Sequence, residues 1–267
     1  MKLLNGRELA DYIKERQARQ VRALRQARHI APKLAIIQTG DNPVIDSYVM
    51  LKQQYGADIL VDVEVYKIDQ AQVLGVIERL NHDDSVHGVI VQLPLADTSE
   101  TDRVVNSVAP HKDVDGLGDA AIFDPATPLA IEWLIAGYNI SLVGQKVALV
   151  GNGRLVGKPL ASLWKQQGVD VTVFDAETTD MHQRLPDYDV IVTATGVPRL
   201  ISSTDVKLGA VVIDAGTTAE HGTIIGDVAD DVRHRDDIKI TPTKGGVGPL
   251  TVTALFDNVL RAASASD

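Results

Sequence analysis

Apolar positions recur at two different spacings along the chain, and their alternation predicts a succession of helices and strands. Leu9, Ile13, Val21 and Leu24 fall at helical spacing within residues 7 to 28, interspersed with Lys14, Arg16, Arg19, Arg22, Arg25 and Arg28. Leu34 to Ile37 is a short apolar run, closed by the turn-forming Gly40-Asp41-Asn42-Pro43, after which a helix bearing Tyr48 is expected. Val61, Val63 and Val65 alternate as in a strand, Ala71 to Leu80 reads as a helix, and Gly88 to Gln92 as another strand. A helix is also expected from Ser99 to Ser107. Pro125-Ala126-Thr127-Pro128 then punctuates the chain before a helix over Leu129 to Tyr138. From Lys146 onward strands are predicted at Val147 to Val150, Val171 to Phe174, Val190 to Thr193 and Val211 to Asp214, with a last one at Lys239 to Thr241. Val252, Leu255, Phe256, Val259 and Leu260 mark an amphipathic terminal helix.

Strands alternating with helices imply parallel sheets. A length of 267 residues accommodates two domains, with the hinge expected near the proline pair. Acidic residues outnumber basic ones 36 to 26, a net charge of -10, which disfavours general binding to nucleic acid or anionic membrane. The basic face of the first helix reads as a solvated face, since no aromatic residues interleave it. No run approaches the roughly 20 apolar residues of a membrane span, and the N-terminal stretch lacks a signal-peptide core, so a cytoplasmic location is expected. The absence of cysteine excludes a thiol nucleophile and thiolate metal sites. No metal is expected.

Three stretches carry candidate chemistry. Tyr48 and Lys52 are four apart, so a helix places them on one face: a ring that can stack on a flat substrate, beside an amine whose pKa falls on desolvation. Gln92 ends a predicted strand, where ligands gather in open α/β sheets. Asp113 and Asp115 are separated by one residue, an arrangement open to metal binding, to gripping a polar heterocycle, or to plain turn formation. Further on, Val147 to Val150 runs into Gly151-Asn152-Gly153-Arg154-Leu155-Val156-Gly157 and then a helix, the context in which glycines let backbone amides approach a pyrophosphate. Asp175 closes the next strand 24 residues after Gly151, near where an acid binds the adenosine ribose of NAD. Glu177 follows, and no Arg or Lys lies between Val171 and Asp180, so nothing there is suited to hold a ribose phosphate. NAD is favoured over NADP.

In their order these motifs resemble the bifunctional methylenetetrahydrofolate dehydrogenase/methenyltetrahydrofolate cyclohydrolase family. The resemblance rests on Gly40-Asp41-Asn42-Pro43 with Tyr48 and Lys52; Gly88 to Leu95; Lys112 to Gly116; the glycine turn with Val156-Gly157-Lys158-Pro159; Ala194-Thr195-Gly196; Gly226-Asp227-Val228; and Gly245 to Pro249 with Thr251. It implies an N-terminal α/β folate and catalytic domain over 1–128, joined by the terminal helix 250–267, and a Rossmann-like dinucleotide domain over 129–249. It further implies oxidation of methylenetetrahydrofolate with NAD or NADP, then hydrolysis of the methenyl form to 10-formyltetrahydrofolate, in a homodimer. By the same resemblance Lys52 is the acid/base, Gln92 tunes it, Tyr48 stacks on the folate and Asp115 grips the pterin. Leu93, Pro94, Gly246, Gly248 and Pro249 would line the substrate, while Gly151, Asn152, Gly153, Val156, Gly157, Asp175, Thr195 and Gly196 would hold the cofactor.

Several positions depart from the family pattern. Only eight residues separate Gly116 from Pro125, where a longer loop is usual, and Ile45, Ala126 and Lys244 replace the common serine, cysteine and proline. The shortened loop and Ile45 raise the alternative of a dehydrogenase without the hydrolytic step; a rival of a different class is a non-catalytic nucleotide-sensing relative that has kept the fold.

Overall fold

The computed structural model describes residues 2–40, 42–220 and 223–266. In chain order the elements begin with β1 (Lys2–Leu3), α1 (Gly6–Ala27), β2 (Lys33–Thr39), α2 (Pro43–Ile59) and β3 (Asp62–Ile68). They continue with α3 (Val73–Asn81), β4 (Gly88–Gln92), α4 (Thr101–Val105), α5 (Ala126–Gly137), β5 (Val147–Val150) and α6 (Gly157–Gln166). The remainder is β6 (Val171–Phe174), α7 (Met181–Arg184), β7 (Val190–Thr193), β8 (Val211–Asp214), β9 (Thr218–Glu220), β10 (Thr223–Ile225), α8 (Asp230–Arg233), β11 (Lys239–Ile240) and α9 (Val247–Ala265). The chain forms two compact units: Asp11–Ala126 with Val252–Asp267, and Met1–Ala10 with Thr127–Thr251.

The unit containing Asp11–Ala126 is built on a three-stranded parallel sheet in the order β3-β2-β4. Ala35, Ile37, Val89 and Val91 bury one face of it against Val73, Ile77 and Leu80 of α3 and Val104 of α4. Helix α2 follows β2 because Asn42 caps it, its side chain accepting from the amides of Val44 and Ile45, with Pro43 in the first turn. Its buried positions are Ile45, Val49, Gly56 and Ile59. Gly56 is required by packing, since a Cβ there would sit 2.4 Å from the Val63 side chain. The terminal helix belongs to this unit from Val252. Phe256 lies with its ring 5.0 Å from that of Tyr55, and Gln17 donates to the Thr253 carbonyl at 2.9 Å. Burial of Phe256, 0% exposed, contributes about 2 to 3 kcal/mol.

The other unit carries a six-stranded sheet in the order β1-β11-β8-β7-β5-β6, parallel at every pairing. Its four longest strands, β5, β6, β7 and β8, occupy the predicted residues, with β6 at the edge. β1 was not expected: two residues give no periodicity to read, yet Lys2 and Leu3 pair with Lys239 and Ile240 and so tie the first residues to this unit. The hairpin of β9 and β10 was likewise unforeseen.

Other differences are local. The helix expected over 99–107 is a single 3-10 turn followed by α4, and the one over 71–80 begins with a 3-10 turn at Gln70–Gln72. α5 starts at Ala126, before Pro128, because proline is tolerated in the first helical turn. For the same reason α9 begins at Val247, before the expected start at residue 250, and takes in Gly248 and Pro249. Among the described residues no helix is long and apolar enough to cross a membrane.

Candidate active site

In the unit containing Asp11–Ala126, β2 lies between strands that follow it in the chain on either side, so the sheet's order reverses between β2 and β4. Residues beyond the carboxyl ends of those two strands are where an open α/β sheet places a ligand. Gln92 is the last residue of β4 and pairs in register with Gln38. The Leu93-Pro94 peptide that follows is cis. Asp41, in the loop after β2, lies outside the described residues.

Lys52 sits on the inward stripe of α2, between Val49 and Gly56, so the helix period aims it at the sheet. Its Nζ donates to Gln92 Oε1 at 2.6 Å, while Gln92 Nε2 donates to the Leu93 carbonyl at 3.2 Å. Gln92 therefore presents an oriented acceptor to the amine. Tyr48, half-buried, lies one turn earlier on the same face of α2. Ile45, buried at 7%, occupies the same stripe as core.

The electrostatics of this cluster are unusual. Burial lowers the Lys52 pKa, and the negative charge of Asp115 partly opposes that. Asp115 is pushed up to about 6, chiefly by burial and further by Asp113, with Lys52 opposing. Each group is thus drawn toward its neutral form while favouring the charge of the other, a condition suited to proton transfer.

The paired carboxylates have separate tasks. Asp113 accepts from the amides of Gly116 at 3.0 Å and Gly118 at 2.8 Å, which makes it the turn former. Asp115 is the one in electrostatic reach of Lys52. Lys112, buried at 5%, is also structural: its Nζ donates to the carbonyls of Leu80 at 2.8 Å and Asp83 at 2.7 Å.

In the second unit the order of the sheet reverses between β5 and β7, and two turns meet at that point. Gly151 has φ +107, and a Cβ there would lie 2.5 Å from the Ala194 carbonyl oxygen after β7. At Gly157, which opens α6, a Cβ would lie 2.0 Å from the Gly151 carbonyl oxygen. Strand, turn and helix therefore pack against one another only with glycine at both positions. Gly153 is different, having nothing within 4 Å of its absent side chain. Asn152 and Gly153 are exposed and Val156 half-buried, leaving the turn accessible in front of the N-terminus of α6.

Asp175 follows the Val150 to Phe174 pair, next to this turn. Its Oδ1 accepts from the Glu177 amide at 3.2 Å and the Thr178 hydroxyl at 2.9 Å, which orients an exposed carboxylate. Thr195 and Gly196 are anchored by residues that sequence reasoning left without a role. Asp227 Oδ2 accepts from the Thr195 amide at 2.7 Å, and Asp214 Oδ1 accepts from the Asp227 amide at 3.1 Å. Arg233 in turn binds Asp214 Oδ2 at 2.5 Å. The Gly226-Asp227-Val228 motif was the visible signal for this network. Gly246, Gly248 and Pro249 also belong to this unit, Gly246 so close to Gly6 that a Cβ on the latter would meet its carbonyl oxygen at 1.9 Å.

A doubly wound sheet with a glycine turn at its switch point, in a chain that also holds a lysine, amide and carboxylate cluster, defines a two-domain dinucleotide-dependent enzyme. The chain belongs to the tetrahydrofolate dehydrogenase/cyclohydrolase family: its catalytic-domain model matches residues 4–115 and its NAD(P)-binding-domain model residues 125–267. A bifunctional protein FolD from Staphylococcus saprophyticus is 38% identical over 275 residues, covering 98% of this chain and 96% of the relative. The crystal structure of a bifunctional FolD methylenetetrahydrofolate dehydrogenase/cyclohydrolase from Campylobacter jejuni superposes with a TM-score of 0.93 at 35% identity, covering 99% of both chains. A Trypanosoma brucei methylenetetrahydrofolate dehydrogenase-cyclohydrolase, solved with NADP cofactor and an inhibitor, matches with a TM-score of 0.93 at 28% identity, over 99% of this chain and 97% of that one.

Proposed function

We propose that the protein oxidises 5,10-methylenetetrahydrofolate to the 5,10-methenyl form with a nicotinamide dinucleotide, and hydrolyses the methenyl form to 10-formyltetrahydrofolate. The observation that carries this reading is the Lys52 to Gln92 hydrogen bond of 2.6 Å beside Asp115, in a member of this family. The dinucleotide, when bound, accepts the hydride. Lys52, Gln92 and Asp115 perform the remaining work. Tyr48 stacks on the pterin, and Asp115 binds its polar edge, with Leu93 and Pro94 alongside. The methenyl bridge is a cationic amidinium, which further favours a neutral amine at Lys52. In that form Lys52 takes a proton from the water that attacks the bridge carbon. The carbon to N5 bond of the resulting carbinol then breaks as N5 takes the proton held by Lys52, and the hydroxyl gives up its own proton to solvent, leaving a neutral formyl group on N10. Gln92 holds the amine in place through both protonation states.

The unit of Asp11–Ala126 is assigned to folate and that of Thr127–Thr251 to the dinucleotide. Gly151, Asn152, Gly153, Val156 and Gly157 receive the pyrophosphate, with Thr195 and Gly196 on the facing turn. Asp175, beside Glu177 and with no cation nearby in sequence, favours NAD over NADP. A cytoplasmic homodimer is part of the same proposal, on the resemblance alone. Lys52→Met tests the reading: methenyltetrahydrofolate hydrolysis is expected to fall at least ~100-fold with folate binding retained, the scale of a lost general acid/base. Hydrolysis at the wild-type rate would overturn it.

A further inference from the structure

The segment bearing Asp115 is held from a side that the proton-transfer cluster does not touch. Asn258, on α9, is 0% exposed and uses both amide hydrogens on this segment, Nδ2 donating to the carbonyl of Val114 at 2.9 Å and of Asp124 at 2.9 Å. Its Oδ1 accepts from Arg261 at 3.5 Å, and the Arg261 guanidinium lies 5.4 Å from the Phe123 ring centroid. One buried amide therefore closes the neck of the loop 115–123. Inside that loop the two ends already touch: Gly116 has φ +68, and a Cβ there would lie 2.5 Å from the Phe123 carbonyl oxygen and 2.8 Å from the Pro125 nitrogen. Asp113 grips Gly116 and Gly118 from within. On the other side, the Val89 amide donates to the Lys112 carbonyl at 2.7 Å, tying the start of the segment to β4, the strand that ends in Gln92.

We infer that Asn258 is a positioning residue for the one-carbon chemistry: by clamping the carbonyls on either side of this short loop, it fixes Asp115 relative to Lys52 and Gln92. The inference rests on the assignment of Lys52 and Asp115 to the folate site. No side chain other than an amide serves at this place, because two buried carbonyls need two hydrogens from one planar group with no charge to desolvate. Without the clamp the neck opens, and Asp115 samples positions in which it neither binds the pterin nor biases the lysine. Asn258 touches neither substrate nor Lys52, so its effect is felt through Asp115 alone.

The test uses full-length Asn258→Leu and Asn258→Ser beside wild type and Lys52→Met. Asn258→Leu is expected to raise the KM for folate about tenfold and to displace the pH-rate profile of methenyl hydrolysis, while the Kd for the dinucleotide stays within about twofold. Asn258→Ser, with a single hydroxyl hydrogen, is expected to move the same quantities in the same direction by less. Folded variants with wild-type folate KM and pH profile would overturn the inference, as would failure of both variants to fold, which would make Asn258 a stability residue only. Lys52→Met separates the two levels. Wild-type hydrolysis in that variant overturns the site itself, whereas loss of hydrolysis there with unaffected Asn258 variants overturns only the positioning role.

Discussion

Asp115→Asn is expected to make the protein more stable while removing folate binding. The carboxyl of Asp115 is pushed up to about 6 from 3.8, mainly by burial. Keeping it ionised at about pH 7.5 therefore costs about 3 kcal/mol relative to the unfolded chain. The amide removes that cost but also takes away the negative charge that supports Lys52, whose ammonium burial already disfavours. The attraction of Lys52 is already contained in the raised value, so the gain expected is about 3 kcal/mol. The sign follows from proton uptake. A raised carboxyl means that the folded state binds the proton more tightly than the unfolded state, so stability falls as pH rises from the unfolded value to about 6 and is level above it. The advantage of Asp115→Asn should accordingly shrink by about half between about pH 7.5 and pH 5. Urea unfolding followed by circular dichroism at both pH values measures it, with folate affinity determined in parallel. A variant less stable than wild type, or a gain identical at both pH values, would refute the reasoning.

Two further substitutions probe the dinucleotide unit. Gly157→Ala should lower the melting temperature and cost at least about tenfold in dinucleotide affinity, because the new Cβ would lie 2.0 Å from a backbone oxygen. Gly153→Ala, with open space at that position, should melt within about 0.5 kcal/mol of wild type, and equal losses in both would remove the distinction between the two glycines. Asp175→Ser combined with Glu177→Arg should move the kcat/KM ratio toward NADP by about tenfold, as one guanidinium gains a phosphate partner. An unchanged ratio would show that cofactor choice lies elsewhere.

Much of this fold is legible because its strands are short runs rich in β-branched residues ended by Gly or Asp, as at Val147 to Val150 before Gly151 and Val171 to Phe174 before Asp175. Lys52 was legible through its spacing of four from Tyr48, and the structure adds a second signal. Ile45, Val49, Lys52, Gly56 and Ile59 follow one helical stripe, so a lysine stands where periodicity demands a core residue. What could not be read depends on distant partners. Nothing in Asp113-Val114-Asp115 says which carboxylate forms the turn; the answer lies in the amides of Gly116 and Gly118 and in the packing that surrounds Lys52. Asp214, Asp227 and Arg233 come together only when β8 and the loop before α8 are adjacent. Asn258 reads as one polar residue in an amphipathic helix until the Val114 and Asp124 carbonyls appear beside it.

The central claim, that one protein both oxidises and hydrolyses, is tested most directly by supplying methylenetetrahydrofolate with NAD or with NADP and following reduced nicotinamide and the methenyl product together. The expected result is reduction of the nicotinamide, faster with NAD, without accumulation of the methenyl form beyond its spontaneous hydrolysis. Reduction accompanied by methenyl accumulation would contradict the hydrolytic role of Lys52 and Gln92, and no reduction with either cofactor would contradict the oxidation itself.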